Sequence, residues 1–317
     1  MKVIYKYSVL LFILFSMSCS EDDKLSGEVL DDVIRGAILR TVNVISPAMD
    51  VLDPGAVWGV EIEAQDIENG ALMEEVRLYA KLIDNTPENG TTDSGEVQID
   101  TFSPSDFTNG PFGLPRREVT ATLGELTSAL GLAAGEFNCG DQIEMRFEMD
   151  LTTGQTFTGG DQNPNISGGN FFSSPYVYRA TLIALLPSDD LFTGQYQLTT
   201  VTPGIFGVND YQDGVYTIDA IGNTTRVIRS VPTFPAFGPF GPVDFEFQFV
   251  CGEIIVTPAQ SVGAGCNATI ATGTASVNTT YDLNNPDDSS FIINFTSDES
   301  NDCGTGSPQA SIQLTKL

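Results

Sequence analysis

Apolar and polar residues alternate with a period of two along much of the chain. Val60, Ile62 and Ala64 alternate with Glu61 and Glu63, and Val76, Leu78, Ala80 and Leu82 with Arg77, Tyr79 and Lys81. The pattern recurs at Val119, Ala121 and Leu123, and at Ile143, Met145, Phe147, Met149 and Leu151. A final run in this half holds Tyr176, Tyr178, Ala180, Leu182 and Ala184. Successive strand side chains point to opposite faces, so such runs predict antiparallel strands with one buried side.

Together with Ala37-Ile38-Leu39-Arg40-Thr41-Val42, these make six runs over residues 35–186, close to the seven or so strands of an immunoglobulin-like β-sandwich, which they predict. One short helix, 125–130, ends near Gly131 and is expected to cover an end of it. Pro187-Ser188-Asp189-Asp190 breaks the alternation and marks a boundary. Beyond it, residues 187–317 hold strand candidates at 194–198, 215–218, 225–231, 243–251, 253–257, 269–277, 291–295 and 311–314. Short strands of this kind close a small barrel or form a second sandwich, and the pattern does not choose. The expected fold class is therefore all-β, a sandwich followed by a second small antiparallel domain.

The N-terminus follows another pattern. Lys2 and Lys6 precede an apolar run at 9–15, shorter than the roughly 20 residues a membrane-spanning helix needs. Ser16, Met17 and Ser18 lead to Cys19. This is the layout of a lipoprotein signal peptide. It resembles the lipobox read by lipoprotein signal peptidase, with Ser16 where Leu is usual. Residues 1–18 are expected to be removed, Cys19 to be lipidated, and 19–34 to form an acidic tether. Ser20-Glu21-Asp22-Asp23 resembles the surface-export signal of Bacteroidota lipoproteins. That resemblance implies a lipid-anchored outer-membrane protein facing the medium. Two or more acyl chains, at about 0.8 kcal/mol per buried methylene, anchor stably where one is marginal.

Charge and composition narrow the chemistry. The chain carries 14 Lys and Arg against 42 Asp and Glu; without Lys2 and Lys6 the balance is 12 against 42, a net charge of −30. Nucleic acid and anionic lipid surfaces are thereby excluded as partners. Carboxylates suit calcium, which makes that ion the one cofactor candidate. The chain has no His, which removes Ser–His and Cys–His nucleophiles and most zinc sites. A carboxylate-only glycoside hydrolase needs just two acids, but no motif singles out a pair, and no enzymatic activity is expected.

Four cysteines follow Cys19. Export permits disulfides, and four cysteines allow three full pairings. Cys266, in Gly263-Ala264-Gly265-Cys266-Asn267, and Cys303, in Asn301-Asp302-Cys303-Gly304, both sit in loop-like sequence and are the favoured pair. Cys251 follows Phe245, Phe247 and Phe249 at period two, which predicts a buried strand thiol or the partner of a less obvious bridge. Cys139 lies in a Gly-Asp turn and is a candidate free thiol.

Several tracts are candidates for binding. Asp84-Asn85-Thr86-Pro87-Glu88-Asn89-Gly90 with Asp93, and Asn209-Asp210-Tyr211-Gln212-Asp213-Gly214, are rich in oxygen ligands. The second has Tyr211 where a calcium loop needs an acid and lacks its closing Glu. Acidic turns of this kind also form without metal, because Asp and Asn bond their own backbone. The stretch 232–242 sets Phe234, Phe237 and Phe240 among four Pro and two Gly, which excludes a central strand. It reads as an apolar contact surface or as a loop folded back onto the core. Trp58, the only Trp, lies between apolar neighbours and is expected to be buried, which weakens a glycan platform. Tyr211 and Tyr216 are the remaining aromatic candidates for sugar.

The tract Leu123-Gly124-Glu125-Leu126, Leu130-Gly131-Leu132, Gly140-Asp141-Gln142-Ile143 and Thr153-Gly154-Gln155-Thr156-Phe157 is similar to immunoglobulin-like domains of Bacteroidota surface lipoproteins. Such proteins are often encoded beside SusC/SusD-type uptake systems, and SusE/SusF-like proteins are the nearest group. The resemblance covers the signal and residues 35–186. It implies a non-enzymatic accessory protein that captures a nutrient, a glycan among the candidates, with an outer-membrane uptake complex. The alternatives are a structural or adhesive surface protein making protein contacts, and the carboxylate-only hydrolase.

Overall fold

The computed structural model describes residues 36–87, 90–168, 172–238 and 240–317. The expected signal sequence, Cys19 and the acidic tether lie outside the described residues. So do Glu88 and Asn89 of the first acidic loop and Pro239 of the Phe/Pro tract. Strand makes up 47% and helix 9%, so the fold is all-β. Among the described residues, no helix is long and apolar enough to cross a membrane.

The first half holds β1 (Ile38–Ser46), β2 (Ala48–Asp50), β3 (Val57–Gln65), β4 (Met73–Ile83) and β5 (Val97–Phe102). It continues with β6 (Thr108–Asn109), β7 (Pro115–Thr122), β8 (Gln142–Leu151), β9 (Thr156–Phe157) and β10 (Val177–Ile183). One sheet has the order β1-β3-β7-β6; the facing sheet is β2-β10-β8-β4-β5, with β9 on β8. This is the A-B-E-D and A′-G-F-C-C′ arrangement of an immunoglobulin fold. The first strand is split: β1 pairs antiparallel with β3, and β2 pairs parallel with β10.

The alternation places the core as the sequence predicts. Val76, Leu78, Ala80, Ile143, Met145, Phe147 and Met149 are all buried between the sheets. Trp58 of β3 is buried too, its ring 6.5 Å from Phe147 of β8 and 6.0 Å from Tyr178 of β10. One aromatic cluster thus ties the two sheets together. Helix α1 (Leu123–Ala129) starts earlier than the apolar pattern suggests because Thr122 caps it. The Thr122 hydroxyl accepts the Glu125 amide at 3.2 Å, and the Glu125 carboxylate accepts the Thr122 amide at 2.8 Å.

Glu63 departs from the alternation. It lies on the outer face of β3 yet is fully buried, because Arg40 of β1 and Arg116 of β7 stand opposite it on either side. Both guanidinium groups pair with its carboxylate. Burial pushes this carboxyl up, but the two arginines hold it below its ordinary range.

The second half comprises β11 (Gly194–Thr202), β12 (Gly214–Ala220), β13 (Thr225–Thr233), β14 (Phe240–Val250) and β15 (Glu253–Val256). It ends with β16 (Gln260–Ser261), β17 (Ala271–Thr274), β18 (Thr279–Thr280), β19 (Ser290–Thr296) and β20 (Gln309–Lys316). These form one sheet, ordered β16-β17-β19-β20-β11-β12-β13-β14-β15-β18. Strands β11 to β15 run as a meander, and β20 returns to pair with β11, which rolls the sheet into a half-barrel. Side chains bridge its open seam. The Gln260 amide donates to the Glu246 carbonyl and accepts the Glu246 N–H, each at 2.7 Å, and the Thr274 hydroxyl donates to the Val256 carbonyl at 2.9 Å.

The two hydrophobic cores are separate, one spanning Ala37 to Leu182 and the other Leu186 to Leu314. Arg226, buried at the start of β13, donates to the carbonyls of Asp189, Leu191 and Gly222 and so fastens the linker to the half-barrel. Asn223 accepts the Leu186 N–H at 2.7 Å. A disulfide, Cys139–Cys251, joins the halves covalently. Cys139 is therefore not a free thiol. Nor does Cys251 continue the buried face of β14: the strand ends at Val250, and Cys251 and Gly252, with φ of 51° and 84°, form a two-residue hairpin turn. The turn carries the sulfur out of the barrel toward the sandwich.

The topology orders the molecule from end to end. Because β2 runs parallel to β10, which leads into the linker, the start of β1 lies at the sandwich end remote from the junction. Strand β14 ends at Cys251, so its first residue, Phe240, lies at the far end of the half-barrel, about 30 Å away at ordinary strand rise.

Candidate binding pocket

Four loops meet at that far end: 203–213, 234–239, 262–270 and 297–308. Between them is a pocket of about 520 Å³, lined by Phe206, Phe234, Phe237, Phe240, Ala264, Gly265, Cys266 and Ile270. The volume lies within the range of sites that hold small molecules. Phe206, Phe237 and Phe240 are 52%, 57% and 42% exposed, whereas Phe234 is 2% exposed and forms the floor. The three sequence candidates are thus brought together, but only Phe237 and Phe240 are surface groups. The Phe237 ring meets that of Phe206 edge-on at 5.9 Å.

The Phe/Pro tract is shorter as a loop than its composition predicts. Strand β13 reaches Thr233 and β14 resumes at Phe240, so 234–239 is a hairpin tip. Register shifts on either side of Val231 accommodate the prolines. At the tip Phe234 adopts left-handed backbone, φ 47°, and Phe206 in its own loop has φ 60°. Such conformations cost a bulky residue on the order of 1–3 kcal/mol and persist only where surroundings hold them.

Asp210 supplies that hold. Its carbonyl accepts the Phe234 N–H at 2.9 Å. Its carboxyl accepts the Ser297 hydroxyl at 2.8 Å, and Ser297 in turn accepts the Ile205 N–H at 3.1 Å. Gly204 packs so closely on this carboxyl that a Cβ would stand 1.8 Å from its Oδ2, which makes glycine obligatory there. Oδ2 is buried without a hydrogen-bond partner. Burial, with the nearby charge of Asp298, pushes the Asp210 carboxyl up to about 7 against the pull of Ser297.

The opposite wall is the 264–268 loop. The disulfide Cys266–Cys303 pins it. The Asp302 carboxylate also accepts the N–H groups of Cys266, Asn267 and Ala268 at 2.7, 3.1 and 2.7 Å. Phe206 escaped the sequence reading because it belongs to no strand candidate, and Ile270 because it reads only as part of the strand candidate 269–277. The signal that could have exposed Phe206 is its setting, an isolated large apolar residue in Pro203-Gly204-Ile205-Phe206-Gly207.

The other candidates lie elsewhere. Trp58 is enclosed, and Tyr211 is buried with its hydroxyl 2.7 Å from that of Thr272. Tyr216 is half-buried and donates to the Gln212 carbonyl. The acidic loops spend their carboxylates on backbone amides: Asp84 on Thr86 and Thr92, Asp213 on Thr200. Asp210 is buried against Ser297, whereas Asp213 is exposed. Among the described residues, Cys266, Asp302 and Cys303 alone cluster as metal ligands would, and both sulfurs are spent in the disulfide.

The fold and site together describe a two-module β-protein with an aromatic pocket at one tip. No protein-family model matches the chain, and no curated protein matches it in sequence.

Proposed function

We propose that this protein is a non-enzymatic binding protein, lipid-anchored through Cys19 at the outer cell surface, that holds an apolar group in the Phe-lined pocket of its half-barrel. The observation that carries this reading is the pocket itself: three exposed phenylalanines around a buried fourth, with left-handed backbone at exposed Phe206 and at Phe234 of the floor. Exposed apolar surface of this kind, rimmed by polar loops, marks contact sites. Its position adds support. The described chain begins at the sandwich end remote from the junction, and the pocket lies at the half-barrel end remote from it. An accessory role beside an outer-membrane uptake complex fits that layout.

The carbon lining favours an apolar ligand or an apolar side chain of a partner over a glycan, since the pocket presents no side-chain hydrogen-bonding group. The hydrolase alternative is less well supported. Asp210 has the raised carboxyl of a general acid, but it lies beneath the Phe206 loop and does not line the pocket.

Saturation-transfer NMR with the uncharged probe 3-phenylpropan-1-ol tests the site in the purified full chain. Transfer is expected with the native protein and is expected to vanish with Phe237→Ser and Phe240→Ser combined. Equal transfer to both proteins would refute the assignment. Mass spectrometry of Cys19 tests the anchor, and an unmodified thiol would remove it.

A further inference from the structure

We infer that the group held in this pocket is a cation with an apolar surface, a quaternary ammonium, in preference to a neutral or anionic group of the same shape. The inference rests on the pocket reading above and deepens it.

The lining is the first support. It consists of four aromatic rings, aliphatic carbon and a disulfide sulfur, with no side-chain hydroxyl, amide or carboxylate. A primary or secondary ammonium entering there would lose hydrogen bonds to water without replacement, at substantial cost. A trimethylammonium group has no N–H to satisfy and presents only methyl surface. It therefore keeps the benefit of burial and carries its charge to the rings. Aromatic faces attract such cations, most strongly where water is excluded.

Charge is the second support. Residues 187–317 contain three basic residues against fourteen acidic ones. Each of the three is engaged away from the pocket. Arg226 is buried on backbone carbonyls, Arg229 lies between Asp219 and Asp244, and Lys316 pairs with Asp288. An anionic amphiphile would therefore meet no counter-ion here. Asp302, by contrast, braces the pocket wall directly, and Asp298 accepts the N–H groups of Asp302 and Cys303 behind it. The charges nearest the pocket wall among residues 187–317 are thus carboxylates. At about 520 Å³ the pocket also leaves room for part of the molecule that bears the ammonium group.

The test uses three ligands of one shape with the full chain, titrated by NMR: choline, its neutral carbon isostere 3,3-dimethylbutan-1-ol, and 3,3-dimethylbutanoate. Choline is expected to bind about tenfold more tightly than the alcohol, with the carboxylate weakest. Phe237→Leu, which keeps apolar bulk but removes a ring, is expected to shrink the advantage of choline while leaving the alcohol nearly unchanged. Equal affinities, or the carboxylate ahead, with binding still lost in the Phe237→Ser, Phe240→Ser protein, would overturn the cation preference and leave the apolar site standing. No binding by these ligands or by 3-phenylpropan-1-ol would overturn both.

Discussion

The sandwich and the half-barrel are both built from alternating strands, yet they fill their interiors differently. Between the sandwich sheets lie mostly aliphatic and methionine side chains, with Trp58, Phe102, Phe147 and Tyr176 as the buried aromatic exceptions. Its outer face is laced with ion pairs: Arg77 to Glu148 and Asp150, Arg146 to Glu96 and Glu148, Lys81 and Arg179 to Glu144. The half-barrel is filled by rings packed mostly edge to face. Phe192 lies 4.2 Å from Phe249, and Tyr211, Phe245 and Phe295 form a second cluster with centroids 4.7 to 5.9 Å apart. Facing sheets stand about 10 Å apart, a gap that aliphatic chains close. A rolled sheet encloses a wider space that needs larger side chains. The same choice of filler leaves rings at the open end, where Phe206, Phe237 and Phe240 form a site. In the sandwich Trp58, the largest ring, is instead spent on cohesion.

Four experiments press on this contrast. The largest effect is expected from Trp58→Ala, which removes the ring that ties the sandwich sheets; a loss of about 3–5 kcal/mol should appear in denaturant unfolding, with ligand binding at the half-barrel retained under native conditions. Next is the junction. Replacing Cys139 and Cys251 by Ser should cost roughly 2–4 kcal/mol and resolve calorimetric unfolding into two transitions, one for each core. A single unshifted transition would mean that the halves are coupled by packing alone.

The third effect depends on pH. The Asp210 carboxyl is raised from 3.8 to about 7 in the folded chain, so the native state binds more protons than the unfolded state between those values. Stability contributed by this group is full below 3.8 and falls as pH rises through about 7. Asp210→Asn should remove that slope and be more stable than the native protein at pH 8, by on the order of 2 kcal/mol. The smallest stability effect belongs to Phe237→Ser. This exposed ring should change unfolding by less than about 0.5 kcal/mol while weakening apolar binding, which separates display from cohesion.

Much of this architecture could be read from the chain. Period-two runs located β3, β4, β7, β8 and β10, because burial on one face imposes that pattern; the longer strands of the half-barrel read as short strand candidates between turns. Strands β2, β6, β9, β16 and β18 are two or three residues long and carry no period. Glu63 could not be placed, because its burial depends on Arg40 and Arg116 arriving from other strands. The partner of Cys139 was hidden for a similar reason: the bond crosses 112 residues, and the turn at Cys251 ends a run that otherwise reads as strand. The Phe/Pro tract reads as an apolar surface or as a loop folded onto the core, and it is partly each: Phe237 and Phe240 are exposed and Phe234 is buried. The Phe206 wall and the Asp210 support came from distant segments that only folding brings together.

The most direct measurement of the pocket's role is a set of isotope-filtered nuclear Overhauser contacts between bound 3-phenylpropan-1-ol and the full chain. Contacts should appear from the probe to the ring protons of Phe206, Phe237 and Phe240 and to the Ile270 methyls. Contacts confined to the sandwich, or none at saturating probe, would contradict the assignment of this tip as the binding site.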